Sequence, residues 1–114
     1  MESVVRLMDE HMPCEVVANA SELKGEGLVY TFNTTFYNGA RREARMKVHI
    51  YALNMARGLA LEKRLDELLV KRGEQRLTAT TVSCVRNGGG WLIDGDWHIR
   101  IAYYDFVFRV PRGQ

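Results

Sequence analysis

The segment LVYTFNTTFYNGARREARMKVHIYA, residues 28–52, decides the predicted fold. Its first part, Leu28 to Tyr37, is rich in β-branched and aromatic residues that alternate along the chain, which predicts a strand. Asn38-Gly39 follows, and both residues tolerate the positive φ of a type I′ hairpin turn. In the second part, Arg42 to Ala52, apolar residues alternate with charged and polar ones. The segment therefore predicts a long antiparallel hairpin with one buried face and one wet face.

Before the hairpin, the sequence predicts a helix, a short strand and a loop. The helix is capped by Ser3 and ends before Pro13, because the residue that precedes a proline disfavours helical angles. Cys14 to Ala18 predicts the strand. Asn19 to Gly27 is polar and contains two glycines, so it predicts a loop.

After the hairpin, an amphipathic helix is predicted from about Met55 to Arg72. Gly58 weakens its first turn, so a start after Gly58 is the alternative. Lys71, Arg72 and Gly73 suit the end of a helix. The predicted apolar stripe consists of Leu61, Leu65, Leu68 and Leu69, and the predicted wet side contains Glu62, Lys63, Arg64, Asp66, Glu67 and Lys71.

The rest of the chain reads as strands and turns. The predicted pieces are a strand from Leu77 to Val85, a mobile connection from Asn87 to Gly90, a short strand from Trp91 to Ile93, a hairpin turn at Asp94-Gly95 and a last strand from Trp97 that Pro111 stops. In the last strand, the apolar residues from Trp97 to Tyr103 are at odd positions, whereas those from Phe106 to Val110 are at even positions. An extra residue near Tyr104-Asp105 would restore one face, which predicts a β-bulge there.

This order of elements predicts one α+β domain over residues 1–114. Its core is a single mostly antiparallel β-sheet with a long hairpin, covered on one face by two helices. A chain of 114 residues is long enough for one core.

Composition excludes several classes of protein. With 46% hydrophobic and 26% charged residues and a net charge of +2, the chain is typical of globular domains and not of disordered ones. No apolar run is typical of a signal peptide or a membrane span, which predicts an intracellular protein. Cys14 and Cys84 have no metal-ligand spacing, and two buried reduced thiols are favoured over a disulfide.

No residue pattern predicts catalysis or a cofactor. His11, His49 and His98 lie in different predicted elements, which favours ordinary surface histidines. Asp94 and Asp96 lack the further oxygen ligands of a calcium loop, so a turn is favoured. The run Asn87 to Gly90 leads into a strand, whereas a phosphate loop leads into a helix with Lys-Ser/Thr. We therefore expect no enzyme activity, no metal and no organic cofactor.

The candidate functional residues are the cations of the hairpin, namely Arg41, Arg42, Arg45 and Lys47. They could contact phosphate or an acidic protein surface, which would make the hairpin an assembly arm. Alternatively, they form a solvated strand face whose charge discourages edge-to-edge aggregation. Both interpretations remain open from the sequence.

The chain resembles the tail terminator, or tail completion, proteins of long-tailed bacteriophages and related prophages. The resemblance rests on the order of elements and on three stretches. These are ARREARMKVHIYA (Ala40 to Ala52), LEKRLDELLV (Leu61 to Val70) and WLIDGDWHIRIAYYDFVFRV (Trp91 to Val110).

This resemblance implies a structural virion protein. The expected assembly is a hexameric ring that caps the finished tail tube and joins the tail to the head. The implied partners are further copies of this chain, the tail tube protein and the head–tail connector, with no membrane. Contact with DNA is left open and would not be sequence-specific. The implied location is the host cytoplasm during assembly and then the virion tail. The alternative is a small nucleic-acid-binding module that uses the basic hairpin with Tyr37 and Tyr51; the low net charge counts against it.

Overall fold

The computed structural model describes residues 2–70 and 80–109 and confirms an α+β fold with a five-stranded, mostly antiparallel sheet and two helices. The predictions made for Lys71, Arg72, Gly73, the first residues of the strand at Leu77, Val110 and Pro111 lie outside the described residues. The elements are α1 (Glu2–His11), β1 (Glu15–Val17), a 3₁₀ turn (Ala20–Glu22), β2 (Gly27–Tyr37), β3 (Arg41–Ala52), α2 (Met55–Leu69), β4 (Thr81–Asp94) and β5 (Trp97–Arg109).

The strands lie in the order β1-β2-β3-β5-β4, so β3 is central. β1 is parallel to β2, and the other three neighbouring pairs are antiparallel. The predicted alternation of β3 is confirmed, because Ala44, Met46, Val48, Ile50 and Ala52 are all buried. These residues join one core with the apolar residues of both helices, including Val4 and Met8 of α1 and Leu61, Leu65 and Leu69 of α2.

The turn between β2 and β3 differs from the predicted type I′ turn. Of its residues Asn38 to Ala40, only Gly39 has a positive φ, at 89°. The Asn38 side chain holds the turn instead. Its Oδ1 accepts hydrogen bonds from the backbone N–H groups of Ala40, at 3.1 Å, and Arg41, at 2.8 Å. An asparagine that accepts from the following backbone forms a turn without itself adopting a left-handed conformation.

The predicted bulge in the last strand is wrong. β5 pairs with β3 without interruption from Arg41–Arg109 to Ala52–His98. From Ala102 onward the buried residues of β5 share one parity, and they are Ala102, Tyr104, Phe106 and Phe108, whereas Ile99 near the start of the strand is buried with the other parity. Ile101 and Tyr103 point to the other face, where they are half-buried. The sequence pattern placed Tyr103 on the apolar face, but Tyr104 is the buried tyrosine. Which of two adjacent tyrosines is buried depends on a hydrogen-bond partner for its hydroxyl.

The predicted mobile connection from Asn87 to Gly90 is also wrong, because these residues lie inside β4. The register against β5 shifts between Arg86 and Gly89, which marks a bulge. The described sheet has further register shifts at Thr34/Phe36 and Thr81/Ser83. Gly88 has φ 84°, and a Cβ on Gly89 would collide with the carbonyl oxygen of Ile101. The glycines therefore permit a bulged strand rather than a loop. The second hairpin is present, with Asp94 paired to Trp97.

Helix α2 begins at Met55 rather than after Gly58, and it ends at Leu69, earlier than predicted. The Oδ1 of Asn54 accepts a hydrogen bond of 2.9 Å from the backbone N–H of Arg57, which caps the first turn. Gly58 is buried, and a Cβ there would lie 3.4 Å from the side chain of Arg100. The lack of a side chain at Gly58 therefore lets the helix lie close to β5. The sequence alone shows only that glycine has a low helix propensity.

Leu65 is fully buried in the core, so its truncation tests the packing of α2 on the sheet. Leu65→Ala should lower the free energy of unfolding by about 2–5 kcal/mol, because it removes buried methylenes and leaves a cavity. Urea melts of both proteins give this difference. The exposed Lys63 on the same helix is the matched control, and Lys63→Ala should change the free energy by less than about 0.5 kcal/mol. A loss below that value for Leu65→Ala would contradict the packing.

Candidate interaction surface

The four hairpin cations are divided between the two faces of the sheet. Successive side chains of a strand point to opposite faces, so Arg41, Arg45 and Lys47 share one face of β3 and Arg42 lies on the other. The structure thus brings three of the four candidate residues together. The face that carries Arg41, Arg45 and Lys47 is called the second face below, and the face that carries the core is called the core face.

Arg42 is half-buried at the end of the core face. Its guanidinium lies over the ring of Tyr37, 5.1 Å from the centroid, which is a cation–π contact. Its Nε is buried and has no hydrogen-bond partner in the described part of the chain. Arg42 therefore makes its cation–π contact within the hairpin itself.

Arg45 and Arg41 are paired with carboxylates of the same sheet. Arg45 Nε donates to Asp105 Oδ1 at 2.9 Å, and Asn87 Nδ2 donates to Asp105 Oδ2 at 2.6 Å. The hydrogen bond from Arg45, supported by that from Asn87, lowers the pKa of Asp105 against the opposing effect of burial. Arg41 Nη2 lies 3.3 Å from Glu43 Oε1. The positive field of the hairpin is therefore weaker than its cation count indicates.

The second face mixes cations with aromatic and aliphatic side chains. Lys47 Nζ lies 5.9 Å from the ring centroid of Tyr103, and the rings of Tyr51 and Trp97 meet edge to face at 6.1 Å. His49 is half-buried on this face, where burial and the nearby Lys47 lower its pKa. The apolar residues that follow the same parity on β5 and β4 are Trp97, Ile99, Ile101, Tyr103, Val107, Val85 and Leu92.

Sequence reasoning missed an ionic cluster between α2 and the sheet, here called the α2 ion network. Arg86 Nη2 donates to Glu62 Oε2 at 2.6 Å, and Arg86 Nη1 donates to both oxygens of Asp66 at 2.9 Å. Arg100 Nε also donates to Glu62, and the Tyr104 hydroxyl donates to Asp66 Oδ1 at 2.5 Å. Both acids were predicted on the wet side of the helix. In the structure Glu62 is buried and Asp66 is half-buried.

The electrostatics of the α2 ion network favour its ionised form. Burial raises the pKa of Glu62, but the hydrogen bonds and charges of Arg100 and Arg86 outweigh it, and the net pKa is lowered. Burial also raises the pKa of Tyr104, as does its hydrogen bond to Asp66, so the phenol keeps its proton. The available sequence signal was the spacing of Glu62 and Asp66, one helical turn apart and adjacent to Leu61 and Leu65.

The described residues bring no metal-binding group together. No cluster of three or more His, Cys, Asp or Glu side chains with ligand geometry is present in residues 2–70 and 80–109. Cys14 and Cys84 are free thiols. Burial, with smaller contributions from nearby carboxylates, raises the pKa of Cys14 to about 11 and that of Cys84 to about 12, so both thiols are protonated at neutral pH.

Two open grooves flank the helices, each with a volume of about 530 Å³. One lies between the end of α1 and the outer side of α2 and is lined by Pro13, Arg57, Ala60, Leu61, Lys63, Arg64 and Glu67. In it, Arg57 Nε already donates to Glu26 at 2.6 Å. The other lies between α1 and strands β1 and β2 and is lined by Glu2, Val5, Arg6, Asp9, Val16, Tyr30 and Phe32. Four of the seven residues that line the first groove and three of the seven that line the second are charged.

Comparison with known proteins gives no family or relative from which a role for this surface could be taken. No family model matches this chain, and no curated protein matches its sequence. No helix within residues 2–70 and 80–109 is long and apolar enough to cross a membrane. The arrangement that remains is a mixed aromatic and cationic sheet surface, which is suited to contact with a macromolecule.

The α2 ion network predicts a pH-dependent stability. Glu62→Gln should lower the free energy of unfolding at pH 7 by about 1–3 kcal/mol, because the amide leaves two guanidinium groups without their shared counter-charge. The stabilisation from Glu62 is complete above pH 4.5, its ordinary pKa, and is lost as the pH falls through the lower pKa of the folded protein.

Urea melts of wild type and Glu62→Gln at several pH values check this prediction. The difference between the two proteins should shrink steadily as the pH falls below 4.5. The exposed Glu10 of α1 is the matched control, and Glu10→Gln should differ from wild type by less than about 0.5 kcal/mol. A Glu62→Gln difference that is constant with pH would contradict the assigned role of its charge.

Proposed function

We propose that this protein is a structural assembly subunit, a tail terminator of the phage type that joins with further copies in a ring, caps the tail tube and connects the tail to the head. One observation carries the proposal. Every residue from 33 to 41, at the end of the β2–β3 hairpin, is exposed, although the strands remain paired as far as Tyr37 and Arg42. The molecule is elongated, with extents of 48 × 29 × 24 Å.

The chemistry of this hairpin end supports a role in assembly. Phe36 and Tyr37 are 44% and 54% exposed, and Arg41 and Arg42 follow directly after the turn. Aromatic residues and arginine are enriched in protein–protein interfaces and among the residues that contribute most to binding. In a monomer, exposed charges and aromatic rings contribute little to stability. A ring of identical subunits uses such an arm at every contact, because head-to-tail contacts repeat until the ring closes.

We infer that both helices cover the core face of the sheet and leave the second face for contacts with a partner. Residues of α1 and α2 belong to one core with Ala44, Met46 and Val48. The β3 residues of opposite parity, among them Arg45 and Lys47, are exposed or half-buried. The long hairpin and its basic second face then act together, with Arg41, Arg42, Arg45 and Lys47 as the residues closest to the partner.

The resemblance to tail terminators supplies the identity of the partners. They are further copies of this chain, in a hexamer, together with the tail tube protein and the head–tail connector. Assembly takes place in the host cytoplasm, and the finished protein remains in the virion tail. The proposal assigns no catalytic reaction, cofactor or membrane to the chain.

A nucleic-acid-binding module is the second candidate, and the ion pairs count against it. Arg45 is bound to Asp105 and Arg41 to Glu43, so two of the cations that would neutralise phosphates already have counter-charges. Binding to DNA that weakens steeply as salt increases would favour this module over the terminator.

The proposal predicts that the hairpin end controls assembly and not folding. Wild-type protein should form rings as its concentration rises, seen by sedimentation velocity and negative-stain electron microscopy. Arg41→Glu combined with Phe36→Thr should keep the circular dichroism of wild type but lose ring formation or binding to tail tubes, because both residues are exposed.

The exposed Lys63 on α2 provides a matched control, and Lys63→Glu should assemble as wild type does. The proposal fails if wild type remains monomeric and does not bind tail tubes. It also fails if the hairpin variant assembles and binds tail tubes with the affinity of wild type.

A further inference from the structure

Both edges of the sheet are open along most of their length in the described part of the chain. β4 spans Thr81–Asp94 and pairs with β5 on one side, and no described strand pairs with its other side. At the opposite edge, β1 pairs only with Gly27, Leu28 and Val29 of β2. The remainder of β2, residues 30–37, has no described strand on its outer side.

Both edges lack most of the features by which sheet edges usually avoid pairing. Natural edges are short, contain lysine or proline, or are interrupted by β-bulges; of these, bulges are present, at Thr34/Phe36 in β2 and at Thr81/Ser83 and Arg86/Gly89 in β4. β2, with the sequence GLVYTFNTTFY, has no charged residue. β4 has only Arg86 and Asp94 as charged residues, and the guanidinium of Arg86 is bound to Glu62 and Asp66. The exposed large apolar residues of β4 are Val82, Val85, Trp91, Leu92 and Ile93.

The directions of the two edge strands are compatible with pairing between copies. Each step from β2 to β3, β5 and β4 is antiparallel, so β4 runs opposite to β2. A rotation about an axis along the strands therefore places β4 of one copy antiparallel to β2 of the next. The same rotation keeps the helices of every copy on one side of the combined sheet, which repeats without change in a ring.

The edges also correspond in height along the strands. One row of cross-strand partners crosses the whole sheet and consists of Asn33, Arg45, Asp105 and Val85. Val85 of one copy and Asn33 of the next would continue this row across the contact. In this register residues 81–88 of β4 lie opposite residues 30–37 of β2, whereas the rest of β4 lies at the height of β1, which already pairs with Gly27, Leu28 and Val29.

We propose that the outer edge of β4 in one copy pairs antiparallel with residues 30–37 of β2 in the next copy, so that the sheets of neighbouring copies are continuous. This inference rests on the proposed ring and names the contact that builds it. When the ring closes, residues 30–37 of every β2 and the facing part of every β4 are paired, which reduces the aggregation hazard of two long edges.

A charge-swap experiment tests the pairing. The β4 variant carries Val85→Lys and the β2 variant carries Asn33→Glu, because the proposed register places these two residues opposite each other. Both native side chains are exposed. Within each chain the new charge lies beside an opposite charge, since Val85 pairs with Asp105 and Asn33 with Arg45.

Each variant alone should self-associate at least about tenfold more weakly than wild type, because the new charge would lose water in the contact and meet no opposite charge on the neighbouring copy. An equimolar mixture should recover assembly. In it, lysine of one variant meets glutamate of the other at alternate contacts, and the unmodified edges meet at the remaining ones. Sedimentation velocity measures both results, and circular dichroism confirms that each variant is folded.

Three results would overturn the proposal, and they are distinguishable. If both variants assemble alone as wild type does, the edges are not the contact, while the ring itself stands. If only one variant fails alone, that edge pairs with itself about a two-fold axis. If wild type never assembles, the proposed ring is wrong together with this contact.

Discussion

The pairing of β3 on both of its sides is the constraint on which the rest of the structure depends. β3 lies between β2 and β5, so its backbone is paired on both sides from Arg42 to Tyr51. Its alternation then fixes the two faces of the sheet, because one-residue slippage would exchange every buried residue for an exposed one. Ala44, Met46, Val48 and Ile50 can be buried only if the cations Arg45 and Lys47 face the other way. The core and the candidate interaction surface are therefore consequences of the same register.

The α2 ion network orients the helix on this sheet. The apolar residues Leu61, Leu65 and Leu69 hold α2 against the core face but would tolerate some sliding along it. Glu62 and Asp66 remove that freedom, since their hydrogen bonds to Arg86, Arg100 and Tyr104 have fixed directions. Buried ion pairs often contribute little net stability after desolvation. Here the network also joins α2 to β4 and β5, two strands that lie beside each other in the sheet.

The proposed assembly depends on the hairpin end and the sheet edges. The same sheet has an aromatic end with Arg41 at residues 33–41 and two long edges with few charges. Such edges are a liability for a protein that remains monomeric, whereas the proposed ring would pair much of their length. The internal pairing of Arg45 with Asp105 and of Arg41 with Glu43 reduces repulsion between like-charged neighbours. Both features favour contact with protein over contact with phosphate.

The sequence by itself determined the elements whose signals are local. The alternation of β3, the hairpin at Asn38-Gly39, the leucine stripe of α2 and the mostly antiparallel sheet follow from periodicity and turn chemistry. Tertiary structure decided what depends on partners distant in the chain. Tyr104 rather than Tyr103 is buried because Asp66 accepts its hydroxyl, so β5 needs no bulge. Glu62 is buried because Arg86 and Arg100 reach it, and Gly89 and Gly90 belong to a strand because β5 pairs with them. None of these partners is close in sequence, and sequence patterns report only on near neighbours.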